Sequence, residues 1–387
     1  MASATHHTDL QQALAHDALE SWRVSAEALT TWWSGAIRRG ATPIDLAVDL
    51  ARWSEQVIAR SRPTWSSPHE VVLSTPVARL RDFTPRRSRK VVPTLVLPPQ
   101  AGHDSCIVDY SPEQSQMRAI LDAGLMRAYS LDWIGASTST KDASIDDYLE
   151  AVGAAVDQIG EPVNLIGDCQ GGWLAIIYAA LHPERVNTLT LAGAPVDFHA
   201  GEPVIHSWVQ ALTPGGSMDY YRALVATGGG MLPGESMLAG FAVIQPENEL
   251  GRQLGLLANM HDPEQIERYR AFEDWYKHTQ AIPGAFYLWI VEHLFLHNRL
   301  INGELEVGGQ LVDLARIAMP LNLLAGAGDH ITPAAQVYAT ADVISTPAPD
   351  VAKYLSTGGH LGLFMGREAL SEHWPPLLAQ VLERSHA

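Results

Sequence analysis

The stretch Asn164-Leu165-Ile166-Gly167-Asp168-Cys169-Gln170-Gly171-Gly172-Trp173 decides the fold. Gly167, Cys169 and Gly171 give it the form Gly-x-Cys-x-Gly. Residues 163–166 before it read as a strand, and residues 171–182 after it read as a helix that ends before Pro183. A strand that turns into a helix through this pattern is a nucleophile elbow. The glycines permit a tight turn and close packing. The turn holds a reactive side chain at the carboxyl end of a sheet. The N–H of Gln170 faces a developing oxyanion, and the start of the helix favours a thiolate at Cys169. Asp168 opposes this, because a nearby carboxylate raises a thiol pKa. A small buried cysteine in a glycine-rich turn is the bland alternative, and it does not require the strand–turn–helix context. Cys106 lies in a segment without glycine punctuation and reads as inert packing.

A general base and an acid to orient it belong in loops after later strands. Residues 321–325 read as a strand, followed by Gly326-Ala327-Gly328-Asp329-His330-Ile331-Thr332-Pro333. Asp329 is the candidate acid. Residues 351–355 read as a last strand, followed by Ser356-Thr357-Gly358-Gly359-His360-Leu361-Gly362. His360 is the candidate base, chosen by position from 16 histidines. His330 is its rival within the site, and Asp197, after the strand at 188–192, is the alternative acid. The loop Pro98-Pro99-Gln100-Ala101-Gly102-His103-Asp104 follows an earlier strand at 91–97. By position it supplies the second oxyanion donor, with Gly102 and His103 as the candidates. The chain order nucleophile, acid, histidine is that of the α/β-hydrolase fold. The expected architecture is α/β, a mostly parallel sheet flanked by helices.

Strands expected at 91–97, 126–131, 163–166 and 188–192 alternate with helices, which implies right-handed crossovers. One of those helices begins at Ser144, with Asp147 three residues on, and carries Ile145, Tyr148, Leu149, Val152, Val156 and Ile159 on one face. The alternation stops over 199–315, a stretch rich in glycine turns and aromatic helices, and resumes at 321. The expected division is an N-terminal helical extension at 1–65, core at 66–198, a helical cap at 199–315, and core again at 316–387. In the extension, Trp22, Ala26, Leu29 and Trp33 share one helical face, while Thr42, Pro43 and Asp45 start a second helix.

Of the 387 residues, 47% are hydrophobic and 18% charged, a balance with ample material for a core. A net charge of −17 argues against nucleic acid and anionic membranes as partners. Arg79, Arg81, Arg86, Arg87, Arg89 and Lys90 form a basic run that reads as a solvated loop before a strand. Two cysteines exclude a disulfide framework or a CxxC metal pattern. No signal peptide and no membrane span are read, so a cytoplasmic location is expected. No metal or organic cofactor is implied.

The motifs together resemble the polyhydroxyalkanoate synthase superfamily, which includes the synthases, the intracellular polyhydroxybutyrate depolymerases and synthase-like proteins. The resemblance is carried by Gly167-Asp168-Cys169-Gln170-Gly171-Gly172 and Tyr178-Ala179-Ala180-Leu181-His182-Pro183-Glu184-Arg185. It continues in Ala194-Pro195-Val196-Asp197-Phe198, Leu131-Asp132-Trp133, Asp146-Asp147-Tyr148, and Asn298 to Gly303. Gly328-Asp329-His330-Ile331-Thr332-Pro333 and Gly359-His360-Leu361-Gly362 complete it. The elbow and its continuation look like the short synthases that work with an accessory subunit. By the resemblance, Cys169, Asp329 and His360 match the family's catalytic triad. It implies polymerisation of 3-hydroxyacyl-CoA, an accessory subunit or a second copy of the chain as partner, and a place at polyester granules. The loop Gln100-Ala101-Gly102-His103 departs from the synthases toward the depolymerases and synthase-like proteins. This keeps a hydrolase, with water as acceptor, as the rival reading. A third is a non-catalytic binding protein on a retired hydrolase fold, which the intact Cys, Asp and His oppose.

Overall fold

The structure is a computed structural model, and it describes residues 22–86, 90–201, 203–244 and 246–386. These residues divide into two compact units. One takes the described residues from 22 to 63 together with those of 236–278, and the other takes the described residues of 64–235 and 279–386.

The larger unit is built on an eight-stranded sheet. Its strands are β1 (Glu70–Ser74), β2 (Ala78–Asp82), β3 (Thr94–Leu97), β4 (Ala128–Trp133), β5 (Val163–Asp168), β6 (Val186–Ala192), β7 (Leu321–Gly326) and β8 (Val351–Ser356). The spatial order is β1-β2-β4-β3-β5-β6-β7-β8. β1 pairs antiparallel with β2, and β2 antiparallel with β4; the pairings from β4 through β3, β5, β6 and β7 to β8 are all parallel. β3, β5 and β7 are buried at every residue, as expected of strands covered by helices on both faces.

The helix Ile145–Ile159 begins with a capping box between Ser144 and Asp147 and ends at Gly160 in the left-handed conformation. Its six expected stripe residues are all buried. The helix Gln170–Leu181 is buried from Gly171 to Ala180, so it shows no amphipathic face.

The β1–β2 hairpin was not expected. Arg79 and Arg81, read as part of a solvated loop, lie on β2. Arg81 pairs with the buried Asp132 of β4 (2.5 Å), and its guanidinium lies over the Trp65 ring. The pairing, which is not visible from sequence spacing, turns a basic run into sheet edge. Arg86 and Lys90 are exposed, while Arg87 and Arg89 lie outside the described residues.

In the smaller unit the second N-terminal helix, Pro43–Ile58, carries the expected capping box of Thr42 and Asp45. The core there consists of Trp32, Leu256, Leu257, Ala258, Met260 and Tyr269. Trp53 Nε1 donates to the Gln253 carbonyl (2.7 Å), and Arg252 holds the buried Glu273 (3.0 Å). On the first helix Trp22, Leu29 and Trp33 of the expected stripe are exposed, while Trp32 and Ala36, which flank the stripe on one side, are buried. Adjacent tryptophans cannot share a helical face, so tertiary packing decided which one is buried. Residues 236–278 group with these N-terminal helices, whereas the sequence reading placed them within one cap insertion at 199–315. The part of the N-terminal extension before residue 22 lies outside the described residues.

Candidate active site

The elbow forms where β5 meets the helix Gln170–Leu181. Cys169 has φ 51° and ψ −116°, a backbone conformation that a side chain rarely adopts. Its own N–H donates to the carbonyl of Ala192 at the end of β6 (2.9 Å), and its carbonyl accepts from Gly172 N–H (2.9 Å). The glycines explain how so tight a turn is reached. A Cβ on Gly171 would lie 1.9 Å from the Leu97 carbonyl oxygen, at the end of β3. A Cβ on Gly167 would lie 2.5 Å from Gly172 Cα. Neither obstacle is a side chain that could move aside. Cys169 is half-buried, while Cys106 is fully buried with its thiol pKa pushed well up by burial. Cys106 thus stands as the packed cysteine the sequence suggested.

His360 follows β8 and Asp329 follows β7, and the parallel pairing of these two strands brings their loops together. His360 Nδ1 lies 2.7 Å from Asp329 Oδ2. Asp329 Oδ1 accepts the backbone N–H groups of Ile331 (2.9 Å) and Thr332 (2.8 Å). The carboxylate is therefore fixed on both oxygens. Both side chains are buried. Nε2 of His360 is buried without a hydrogen-bond partner in this structure. Burial disfavours the imidazolium, but the Asp329 carboxylate and the Cys169 sulfur outweigh it. The pKa of His360 stands well above the ordinary imidazole value. Cys169 is thus near enough to bear on the ring whose Nε2 is unpaired.

Other residues singled out in the sequence take different places. Gln170 opens the helix, so its N–H lacks an intrahelical acceptor. Gly102 is buried with φ 80°, and its carbonyl accepts from Gln280 N–H (2.7 Å). His103 is buried and bridges to Thr279 in a short antiparallel pairing. Asp197 engages Asn298 Nδ2 (2.7 Å) and the N–H of His199 (3.0 Å), and it is Asp329 that lies on His360. His330 is exposed beside the acid.

Three features went unread in the sequence. Gln100 is buried and donates Nε2 to Tyr148 (2.9 Å), which stacks on Phe286 with centroids 3.9 Å apart. Trp133 Nε1 donates to the Pro98 carbonyl (2.8 Å). Together these tie the loop after β3 to the helix Ile145–Ile159 and to β4. The third is the burial of Asp168, whose carboxylate the sequence reading weighed only as a charge beside Cys169. The side chain is fully buried, and burial pushes its pKa up to about 8 while Gln116 and His360 pull it down. Burial thus favours the uncharged form of the carboxyl that the sequence reading set against a Cys169 thiolate. Among the described residues no group of three or more His, Cys, Asp or Glu could hold a metal ion. No helix among them is long and apolar enough to cross a membrane.

The sheet order and the placement of the elbow after β5 define an α/β-hydrolase fold, the architecture expected from the sequence. Residues 73–373 match the family model described as "Protein of unknown function (DUF3141)", and the chain belongs to that family, within the polyhydroxyalkanoate synthase superfamily. Among its relatives is the "Poly(3-hydroxyalkanoate) polymerase subunit PhaC" of Haloferax mediterranei, 27% identical over 89% of this chain and 73% of that protein. The Haloarcula marismortui protein of the same name is 30% identical over 72% of this chain and 58% of its own length. That of Allochromatium vinosum is 27% identical, covering 72% and 77%. Among solved structures, a monoacylglycerol lipase from Paleococcus ferrophilus aligns with a TM-score of 0.47 at 17% identity, over 76% of this chain and 98% of that one. A 2-hydroxy-6-oxo-6-phenylhexa-2,4-dienoate hydrolase from Rhodococcus aligns at 0.44 and 16%, over 83% and 99%.

Proposed function

We propose that the protein is a synthase-like acyltransferase that polymerises 3-hydroxyacyl-CoA with release of CoA. Cys169 is the nucleophile, His360 the general base and Asp329 its orienter. The observation that carries these catalytic roles is the geometry of His360. One ring nitrogen is held at 2.7 Å by a fully engaged carboxylate, and the other is unpaired on a ring that feels the sulfur at the elbow. The polymerase names of the relatives support the acyl-CoA substrate class.

In this scheme Nε2 of His360 takes the thiol proton, and the Cys169 sulfur attacks the thioester carbonyl. The N–H of Gln170 and a backbone N–H of the loop at Gly102 and His103 bind the oxyanion. CoA leaves as a thiol with the proton from His360, and the acyl group rests on sulfur. One thioester has replaced another, so the step is nearly isoenergetic. The hydroxyl of a second hydroxyacyl unit then gives its proton to His360 and attacks the acyl-enzyme. An ester forms, and the cysteine thiol is restored. An accessory subunit or a second copy of this chain is the partner this reading implies, with a polyester granule as the place of work.

The alternative is a depolymerase, esterase or thioesterase that uses the same three residues with water as acceptor. The loop Gln100-Ala101-Gly102-His103 favours it, with His103 buried against Thr279. Incubation with 3-hydroxybutyryl-CoA, following CoA and product beside Cys169→Ala, separates the two. CoA release with insoluble polyester, both lost in the variant, supports the synthase. CoA release with free hydroxy acid alone rejects it in favour of a thioesterase.

A further inference from the structure

Asp168 precedes Cys169 at the end of β5, and its side chain is completely buried. Gln116, at the start of the helix Gln116–Asp122, is completely buried too. Gln116 Nε2 donates to Asp168 Oδ1 at 3.2 Å. Asp168 Oδ2 is left without a partner, and so is Gln116 Oε1. A carboxyl and a carboxamide are thus joined by one bond, and each keeps one orphan oxygen. An ionised carboxylate cannot mend this, because it only accepts. A proton on Oδ2 turns that oxygen into a donor, and Gln116 Oε1 is the acceptor left open on the same pair of side chains.

We propose that Asp168 is a neutral carboxylic acid whose hydroxyl donates to Gln116 Oε1, and that this acid–amide pair lets a carboxyl back the elbow without placing a negative charge beside Cys169. Asp168 is then a positioning residue, which acts through the turn and not on substrate. Burial raises its pKa, with the Gln116 N–H and the charge of His360 opposing. His360, from the loop after β8, is the ionisable group on another element that bears on it, with Asp329 behind that ring. On its own element the neighbour is Cys169. The consequence for the thiolate rests on Cys169 being the nucleophile, but the protonation state of Asp168 does not.

The test uses the full chain and Asp168→Asn, whose amide has the shape of the neutral acid and can donate to the same oxygen. Asp168 binds its proton more tightly when folded than when unfolded. The wild type therefore loses stability relative to the variant as pH rises from about 4 through about 8. The unfolding midpoint of Asp168→Asn should rise against that of the wild type across this interval and then level off. Parallel curves would overturn the proposal. Alkylation of Cys169 by iodoacetamide at neutral pH should proceed at similar rates in both proteins. A variant several-fold faster would mean that an ionised carboxylate had been removed, and the pair would be rejected. If Asp168→Asn does not fold, infrared difference spectra of the wild type decide: a protonated-carboxyl stretch should disappear as pH rises through about 8, and its absence overturns the proposal. A protein that meets these expectations yet transfers no acyl group would sink the catalytic reading and leave this one standing.

Discussion

The Asp329 carboxylate is shared between two tasks: Oδ2 lies 2.7 Å from His360 Nδ1, while Oδ1 takes the backbone N–H groups of Ile331 and Thr332. The ring orientation is therefore set by a carboxylate that the backbone N–H groups of its own loop hold in place. Asp329→Asn should keep the fold, since an amide oxygen can still accept from Ile331 and Thr332. Its N–H would then face Nδ1 and move the imidazole proton to Nε2, which could no longer take the thiol proton. The kcat for CoA release should fall by about ten-thousand-fold. Stopped CoA assays beside circular dichroism check it, and a loss under tenfold would count against Asp329 as orienter.

Cys169 sits at φ 51° for the sake of where its side chain points. Glycine accepts that conformation without strain. Cys169→Gly should abolish acyl transfer and yet stabilise the protein by about 1 kcal/mol, the strain relieved less the extra entropy of an unfolded glycine. Urea unfolding measures it. Clear destabilisation would show that the turn is not strained.

Gly171→Ala should do the reverse. Its Cβ would meet the Leu97 carbonyl at 1.9 Å, and neither backbone can yield without moving the elbow or the end of β3. A cost of about 3 kcal/mol is expected from overpacking, with loss of activity. Urea unfolding and the CoA assay check both, and full activity at wild-type stability would refute so close a packing of the turn against β3.

The pH dependence has a defined sign at His360. Its pKa is raised in the folded state, by Asp329 and by Cys169, against the effect of burial. The stability it contributes is fully present below the unfolded histidine pKa of about 6.5, and is lost as pH rises through the higher folded value. Cys169→Ala removes one of the two raising groups, so the His360 resonance should titrate at lower pH in that variant. NMR of the imidazole protons reads this directly. An unchanged or higher titration point would show that sulfur and ring do not interact.

Much of the candidate site was legible because its signals are local. A positive-φ residue flanked by obligatory glycines leaves its mark in a few consecutive letters, and strand ends followed by glycine-rich loops do so too. Asp329 and His360 could be chosen because each directly follows a strand, and β7 and β8 lie where the sequence placed them, one residue longer at the end. The burial of the N-terminal helices was not legible for a related reason. Trp22, Leu29 and Trp33 share a face by spacing, but spacing cannot tell a buried stripe from an exposed one when Trp32 and Ala36 beside it take the buried positions.

The sequence by itself determined the elbow, the chain order of Cys169, Asp329 and His360, and the parallel core that carries them. These depend on backbone conformation and on short-range hydrophobic pattern, which neighbouring residues encode. Only the tertiary structure decided the β1–β2 hairpin at the sheet edge and the grouping of residues 236–278 with the N-terminal helices. It also decided the side-chain ties of the loop after β3 and the enclosure of Asp168 against Gln116. The charge of Asp168 depends on its complete burial and on a hydrogen-bond partner 52 positions away in the chain, and both exist only once the chain has folded.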